Sequence, residues 1–218
     1  MTWLIDNFDY VWSLTFKHIV LSVIPIVLGF VIAVPIGWYA SRHRRLRGLL
    51  LSMGSVLYSV PSLPLFVILP TIIGTGILDP VNVVAALTIY AAAIMVRSST
   101  DAFASVSPAV LDAATASGFA PADCAFRVEL PLAGPVLLAG LRVVAVSTVS
   151  LVSIGALIGV SSLGSLFTDG FRRDFTTEIV IGVVGTLLIA FALDGALVVS
   201  GRLLMPWAAV TRLAGAST

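Results

Sequence analysis

Charge is the scarcest property of this 218-residue chain: Asp, Glu, Lys and Arg supply 11% of it, against 59% apolar residues and a mean hydropathy of +1.11. Soluble domains carry about 25% charged residues. Twelve basic and eleven acidic side chains cannot coat a water-soluble globule of this size, which excludes a soluble enzyme and a disordered chain alike. The formal net charge of +1 gives no footprint for nucleic acid. A single cysteine, Cys124, excludes an internal disulfide, and two histidines, His18 and His43, are too few for a metal-ligand cluster. No Gly-x-x-x-x-Gly-Lys-Ser/Thr sequence occurs, so the chain cannot hydrolyse ATP itself. No nucleophile–base pair stands at membrane depth to support an intramembrane enzyme, and no catalytic residue is assigned.

Long apolar runs are what remains, and lipid is the solvent they imply. A span needs about 20 predominantly apolar residues. Five stretches meet that test: roughly Ile19–Ala40, Leu49–Ile73, Val81–Val96, Pro135–Val160 and Ile179–Ser200. The expected fold is an all-α integral membrane protein of about five transmembrane helices, with residues 1–218 forming one membrane domain. No internal repeat or linker stands out.

The chain does not open as a signal peptide, because Asp6 and Asp9 stand where a basic stretch would be. Residues 1–17 read as an interfacial segment, with Trp3, Leu4, Phe8, Val11 and Trp12 at near-helical spacing. An early extension of the first span is an equal alternative. Lys and Arg set orientation. The turn after span one holds Arg42, Arg44, Arg45 and Arg47, and the same side collects Arg97, Arg127, Arg202 and Arg212. The other side holds Lys17, Arg172 and Arg173. Eight against three favours an outer N-terminus and a cytoplasmic C-terminus.

The loop at 98–131 is too long for a plain connector. Ser107-Pro108 reads as an N-cap with proline at the first helical position. The helix runs to Ser117 and Gly118 ends it. A second short helix begins near Pro121 and runs to Val128, and Pro131 is expected to break the chain before span four. Small residues at Ala113 and Ala114 allow close approach of another surface, with Leu111, Phe119 and Phe126 offering apolar contact. The alternative is a folded loop packed on its own spans.

Asp112-Ala113-Ala114-Thr115-Ala116-Ser117-Gly118, followed by Val128-Glu129-Leu130-Pro131, resembles the EAA loop of the membrane subunits of binding-protein-dependent ABC importers, with Asp112 where Glu is usual. Further segments resemble the osmoprotectant branch of these permeases: Lys17-His18-Ile19-Val20-Leu21-Ser22, Ser59-Val60-Pro61-Ser62-Leu63-Pro64, Ala139-Gly140-Leu141-Arg142 and Gly159-Val160-Ser161-Ser162-Leu163-Gly164. The last departs from the branch pattern at Val160, Ser161 and Ser162. The resemblance implies a type I importer permease in a bacterial inner membrane, crossing it several times. It implies a cytoplasmic ABC ATPase as partner, docking on Asp112, Ala113, Ala114, Gly118, Phe119, Leu130 and Pro131, with the charges of Asp123, Arg127 and Glu129 beside them. It also implies an extracytoplasmic solute-binding protein, and a second permease subunit, identical or paralogous. ATP and Mg would belong to the ATPase, with no cofactor on this chain. The implied solute is glycine betaine, choline, carnitine or a related quaternary amine.

Inside the spans, Pro61 and Pro64 free backbone carbonyls, and Ser59 and Ser62 are at hand to satisfy them. This reads as a broken helix lining the translocation path, or as an ordinary proline kink. Arg142 and Asp194 lie at similar depths and are expected to pair, unless Asp194 reaches water alone. No aromatic cage for a quaternary ammonium group can be assembled from the sequence. A secondary transporter or channel with Asp194 as its ion or proton site is the competing reading.

Overall fold

The computed structural model describes residues 2–207, so Met1 and Arg212 lie outside the described residues. Among the described residues there are ten α-helices: α1 Thr2–Asp6, α2 Phe8–Arg42, α3 Arg44–Ser59, α4 Ser62–Ile73, α5 Pro80–Ala104, α6 Pro108–Ala116, α7 Pro121–Cys124, α8 Leu130–Val152, α9 Gly164–Arg172 and α10 Thr176–Leu204. A π-helical turn at Ala125–Glu129 joins α7 to α8, and a 3-10 turn at Ser153–Ile158 leads on towards α9.

Among the described residues, four helices are long and apolar enough to cross a membrane. The first, α2, has 35 residues, about 52 Å at 1.5 Å per residue, well beyond a hydrocarbon core of about 30 Å. Residues Phe8–Lys17 therefore continue span one without a break, and only the short α1 precedes it. Pro25 and Pro35 sit inside α2 without ending it.

Glycine and alanine set how α2 packs. Gly29, Ala33, Gly37 and Ala40 are buried at three- and four-residue spacing, on the face turned to α5. A methyl group on Gly29 would stand 2.5 Å from Ala91 Cβ, and one on Gly37 would fall on Ser99. The two backbones approach as closely as small residues allow. The central helix α5 buries twelve residues among α2, α3, α4 and α8. It starts on Asp79, whose carboxylate accepts from the Val81 N–H at 2.9 Å, with Pro80 at the first position. It runs on to Ala104 rather than stopping near Val96, so residues 98–104 belong to a span and not to the loop.

The expected second span is not one helix. Val60 and Pro61 adopt extended backbone, and α3 and α4 meet at a bend of 102°. At 16 and 12 residues, about 24 and 18 Å, neither helix crosses alone. Pro61 makes the break, because the residue before a proline is pushed out of the helical region. Pro64 breaks nothing: it falls in the first turn of α4, where a missing N–H has no partner to lose.

Span four also departs from expectation. Pro131 does not interrupt the chain but occupies the first turn of α8, and the helix runs through from Pro121. The π turn explains this. The Leu130 N–H reaches back to the Ala125 carbonyl, five residues away, which widens the turn where Pro131 has no N–H to offer. At its far end α8 gives way to the 3-10 turn at Ser153, and Gly159 (φ 88°) turns the chain back. Finally, α10 lies against α8 and α9 with most of its surface open.

Candidate functional site

The loop between α5 and α8 is displayed rather than packed. Helix α6 has no buried residue, and Asp112, Ala113, Gly118 and Phe119 are all exposed, with Ala114 half-buried. Gly118 carries φ 86°, a conformation that strains an L side chain. The chain closes there in a Schellman motif: the Phe119 N–H bonds the Ala114 carbonyl at 3.2 Å and the Gly118 N–H bonds the Thr115 carbonyl at 3.0 Å. The helix start is simpler than its sequence suggests. Ser107 holds the N-cap position with Pro108 next, but its hydroxyl makes no cap bond.

The remaining loop residues divide by role. Asp123 and Arg127 form an exposed pair at 3.4 Å. Leu130 packs into the core shared by α2, α5 and α8, and the Pro131 carbonyl accepts from the Trp207 indole at 3.2 Å. These two anchor the loop instead of presenting it. Glu129, expected on the exposed face, is 4% exposed. Its carboxylate accepts from the Trp38 indole N–H at 2.9 Å and from the Arg42 guanidinium. Arg42 in turn lies 4.0 Å over the Trp38 ring. Sequence reasoning missed Trp38, because its partner is 91 residues away. Arg47 and Asp101 pair at 2.9 Å on the same end of the bundle. The arginine-rich turn, the end of α5, the loop and the end of α10 therefore gather together.

At the α3–α4 break, Ser59 does not satisfy a freed carbonyl. Its hydroxyl bonds the Ser55 carbonyl of its own helix at 2.8 Å. Tyr90 of α5 does that work, donating to the Val60 carbonyl at 2.5 Å. The break is thus braced from the central helix. Ser62 lines a cavity there, and Pro61 is exposed beside it.

On the outer surface between α8 and α10, Arg142 and Asp194 make a bidentate pair within one chain: Nε to Oδ1 at 2.6 Å and Nη2 to Oδ2 at 2.8 Å. Both carboxylate oxygens are taken, in the fork geometry that gives the strongest ion pairs.

An aromatic pair also forms that the sequence does not suggest. Tyr58 and Tyr90 stand edge to face with ring centroids 6.2 Å apart. The α3–α4 bend brings the end of α3 against the middle of α5.

This geometry has known counterparts. Residues 26–210 match the family of binding-protein-dependent transport system inner membrane components. The osmoprotectant import permease protein OsmW of Salmonella typhimurium is 31% identical over 195 residues, covering 88% of this chain and 90% of that one. The choline transport system permease protein OpuBB of Bacillus subtilis is 29% identical over 192 residues, covering 88% and 87%. In fold, the chain is similar to one of the MetNI methionine ABC transporter in inward-facing conformations, with a TM-score of 0.70 at 22% identity over 90% of this chain and 96% of that one. The displayed loop, the multi-pass helical bundle and the match across most of its length make this chain a member of the binding-protein-dependent ABC importer permeases of the inner membrane.

Proposed function

We propose that the chain is the permease subunit of an ATP-driven importer for a quaternary-amine osmoprotectant such as glycine betaine, choline or carnitine. The observation that carries the coupling role is α6, a helix with no buried residue held in place by the Gly118 turn. An exposed surface of Asp112, Ala113 and Phe119, with Ala114 half-buried between them, fits a groove in a cytoplasmic ATPase. The loop end of the bundle is then the cytoplasmic one, a reading supported by the arginine-rich turn. The solute class rests on relatives named for choline and osmoprotectant import. A separate binding protein delivers the solute outside, and ATP with Mg acts on the ATPase. A second permease, a copy or a paralogue, completes the path, consistent with the open faces of α3 and α10.

ATP closing the two ATPase subunits moves α6. The Glu129–Trp38–Arg42 contact and the unbroken α7–α8 helix carry that motion into α2 and α8. A secondary transporter using Asp194 is disfavoured, since Arg142 occupies both of its oxygens. The test is uptake of labelled glycine betaine, choline and carnitine by proteoliposomes holding permease, ATPase and binding protein. ATP-dependent uptake of at least one supports the reading, and uptake that persists without ATP overturns it.

A further inference from the structure

The bend between α3 and α4 opens a cavity of about 500 Å³, lined by Tyr58, Val60, Ser62, Tyr90, Ser147 and Ser150 among others. That size lies within the roughly 300–1,000 Å³ of small-molecule sites. Tyr90 is the buried back wall at 3% exposure, and Tyr58 is the open side at 52%. The hydroxyls of Ser62, Ser147 and Ser150 have no hydrogen-bond partner among the described residues. By contrast, Ser55 and Ser59 of α3 and Ser200 of α10 bond the carbonyl four residues back. Three unengaged hydroxyls and two aromatic rings thus surround one space.

The backbone adds a field. Helix α3 ends at Ser59, so its negative pole lies beside this cavity. Helix α4 begins at Ser62, on the other side of the same break, with its positive pole. The two poles offset for a lone cation and both favour a solute with a cation at one end and an electronegative group at the other. A second cavity shares Tyr58 and continues towards the loop end, where Arg97 lines it. That charge again suits a solute carrying its own carboxylate.

We infer that this cavity is a transient docking site for the quaternary ammonium head of the solute in passage. A quaternary ammonium has no N–H and cannot be held by hydrogen bonds, which leaves aromatic faces and helix C-terminal carbonyls to attract it. The Tyr58 and Tyr90 rings supply the faces, and the serine hydroxyls take the polar tail. The inference deepens the osmoprotectant reading and rests on it for the identity of the solute.

The test separates the two. In the complete importer, a Ser150→Cys variant places an accessible thiol in the cavity. The natural Cys124 is buried, and the chain without Ser150→Cys is the labelling control. The rate of modification by trimethylammonium-ethyl methanethiosulfonate is divided by that of its neutral methyl analogue. Tyr58→Leu is expected to lower this ratio roughly 3- to 30-fold, the range of cation–π contacts, whereas Tyr58→Phe keeps it within about twofold. An unchanged ratio in Tyr58→Leu, with the neutral rate and ATPase assembly intact, overturns the site. Loss of the neutral rate in Tyr58→Leu marks a collapsed cavity, and Tyr58→Ile then supplies the same comparison. A ratio that falls as expected in an importer taking up no quaternary amine supports the cation site and rejects the solute reading.

Discussion

Glu129 accepts a hydrogen bond from the Trp38 indole at 2.9 Å and thereby ties the displayed loop to the end of α2. The carboxylate is buried and depends on this bond and on Arg42. Hydrogen bonds to charged groups contribute about 1.5–3 kcal/mol. Trp38→Phe is therefore expected to lower thermal stability of the purified permease in detergent by about that amount, and to depress uptake while the ATPase still co-purifies. Full transport with unchanged stability would contradict the proposed linkage.

Gly118 separates backbone strain from crowding. A side chain there would meet nothing within 4 Å, so only its φ of 86° resists substitution. The left-handed region costs a typical L residue about 1–2 kcal/mol, and asparagine much less. Gly118→Asn should keep uptake near the parent level. Gly118→Val should abolish it while the protein still reaches the membrane. Equal uptake by both variants would remove the turn from the coupling mechanism.

The α2–α5 contact is expected to be intolerant at Gly37 and indifferent at Gly48. A Cβ on Gly37 would stand 2.8 Å from the Thr100 backbone nitrogen, whereas one on Gly48 meets nothing within 4 Å. Overpacking costs about 1–3 kcal/mol and more when backbones must part. Gly37→Leu should cut the yield of monodisperse protein on size exclusion, and Gly48→Ala should not.

The Arg142–Asp194 fork predicts strong coupling. Replacing either residue leaves an uncompensated charge at membrane depth. Arg142→Gln and Asp194→Asn should each destabilise more than the double variant does. The two replacements should therefore be non-additive in a double-mutant cycle. Additive unfolding midpoints would show that the pair contributes nothing.

Much of the loop was legible because its signals are local. Pro108, Gly118 and Pro121 each act through their own φ and their own N–H, so helix starts and the left-handed turn follow from residue type. Pro131 failed as a signal for the opposite reason. Its effect depends on which carbonyl faces it, and the π turn at Ala125–Glu129 changes that partner. Hydropathy placed the apolar runs but not the 102° bend, since apolarity is blind to where a helix breaks within a run.

The sequence alone established that the solvent is lipid and that the few charges fall near the ends of apolar runs, in one loop and at Arg142 and Asp194 within the runs, because hydropathy and charge position are read along the chain without reference to partners. Only the tertiary structure decided that Glu129 is buried on Trp38 and Arg42, that Tyr90 braces Val60, and that Tyr58 and Tyr90 face one cavity. Those contacts join helices far apart in sequence, and their register and rotation are set by packing, such as the close approach of Gly29 and Gly37 to α5.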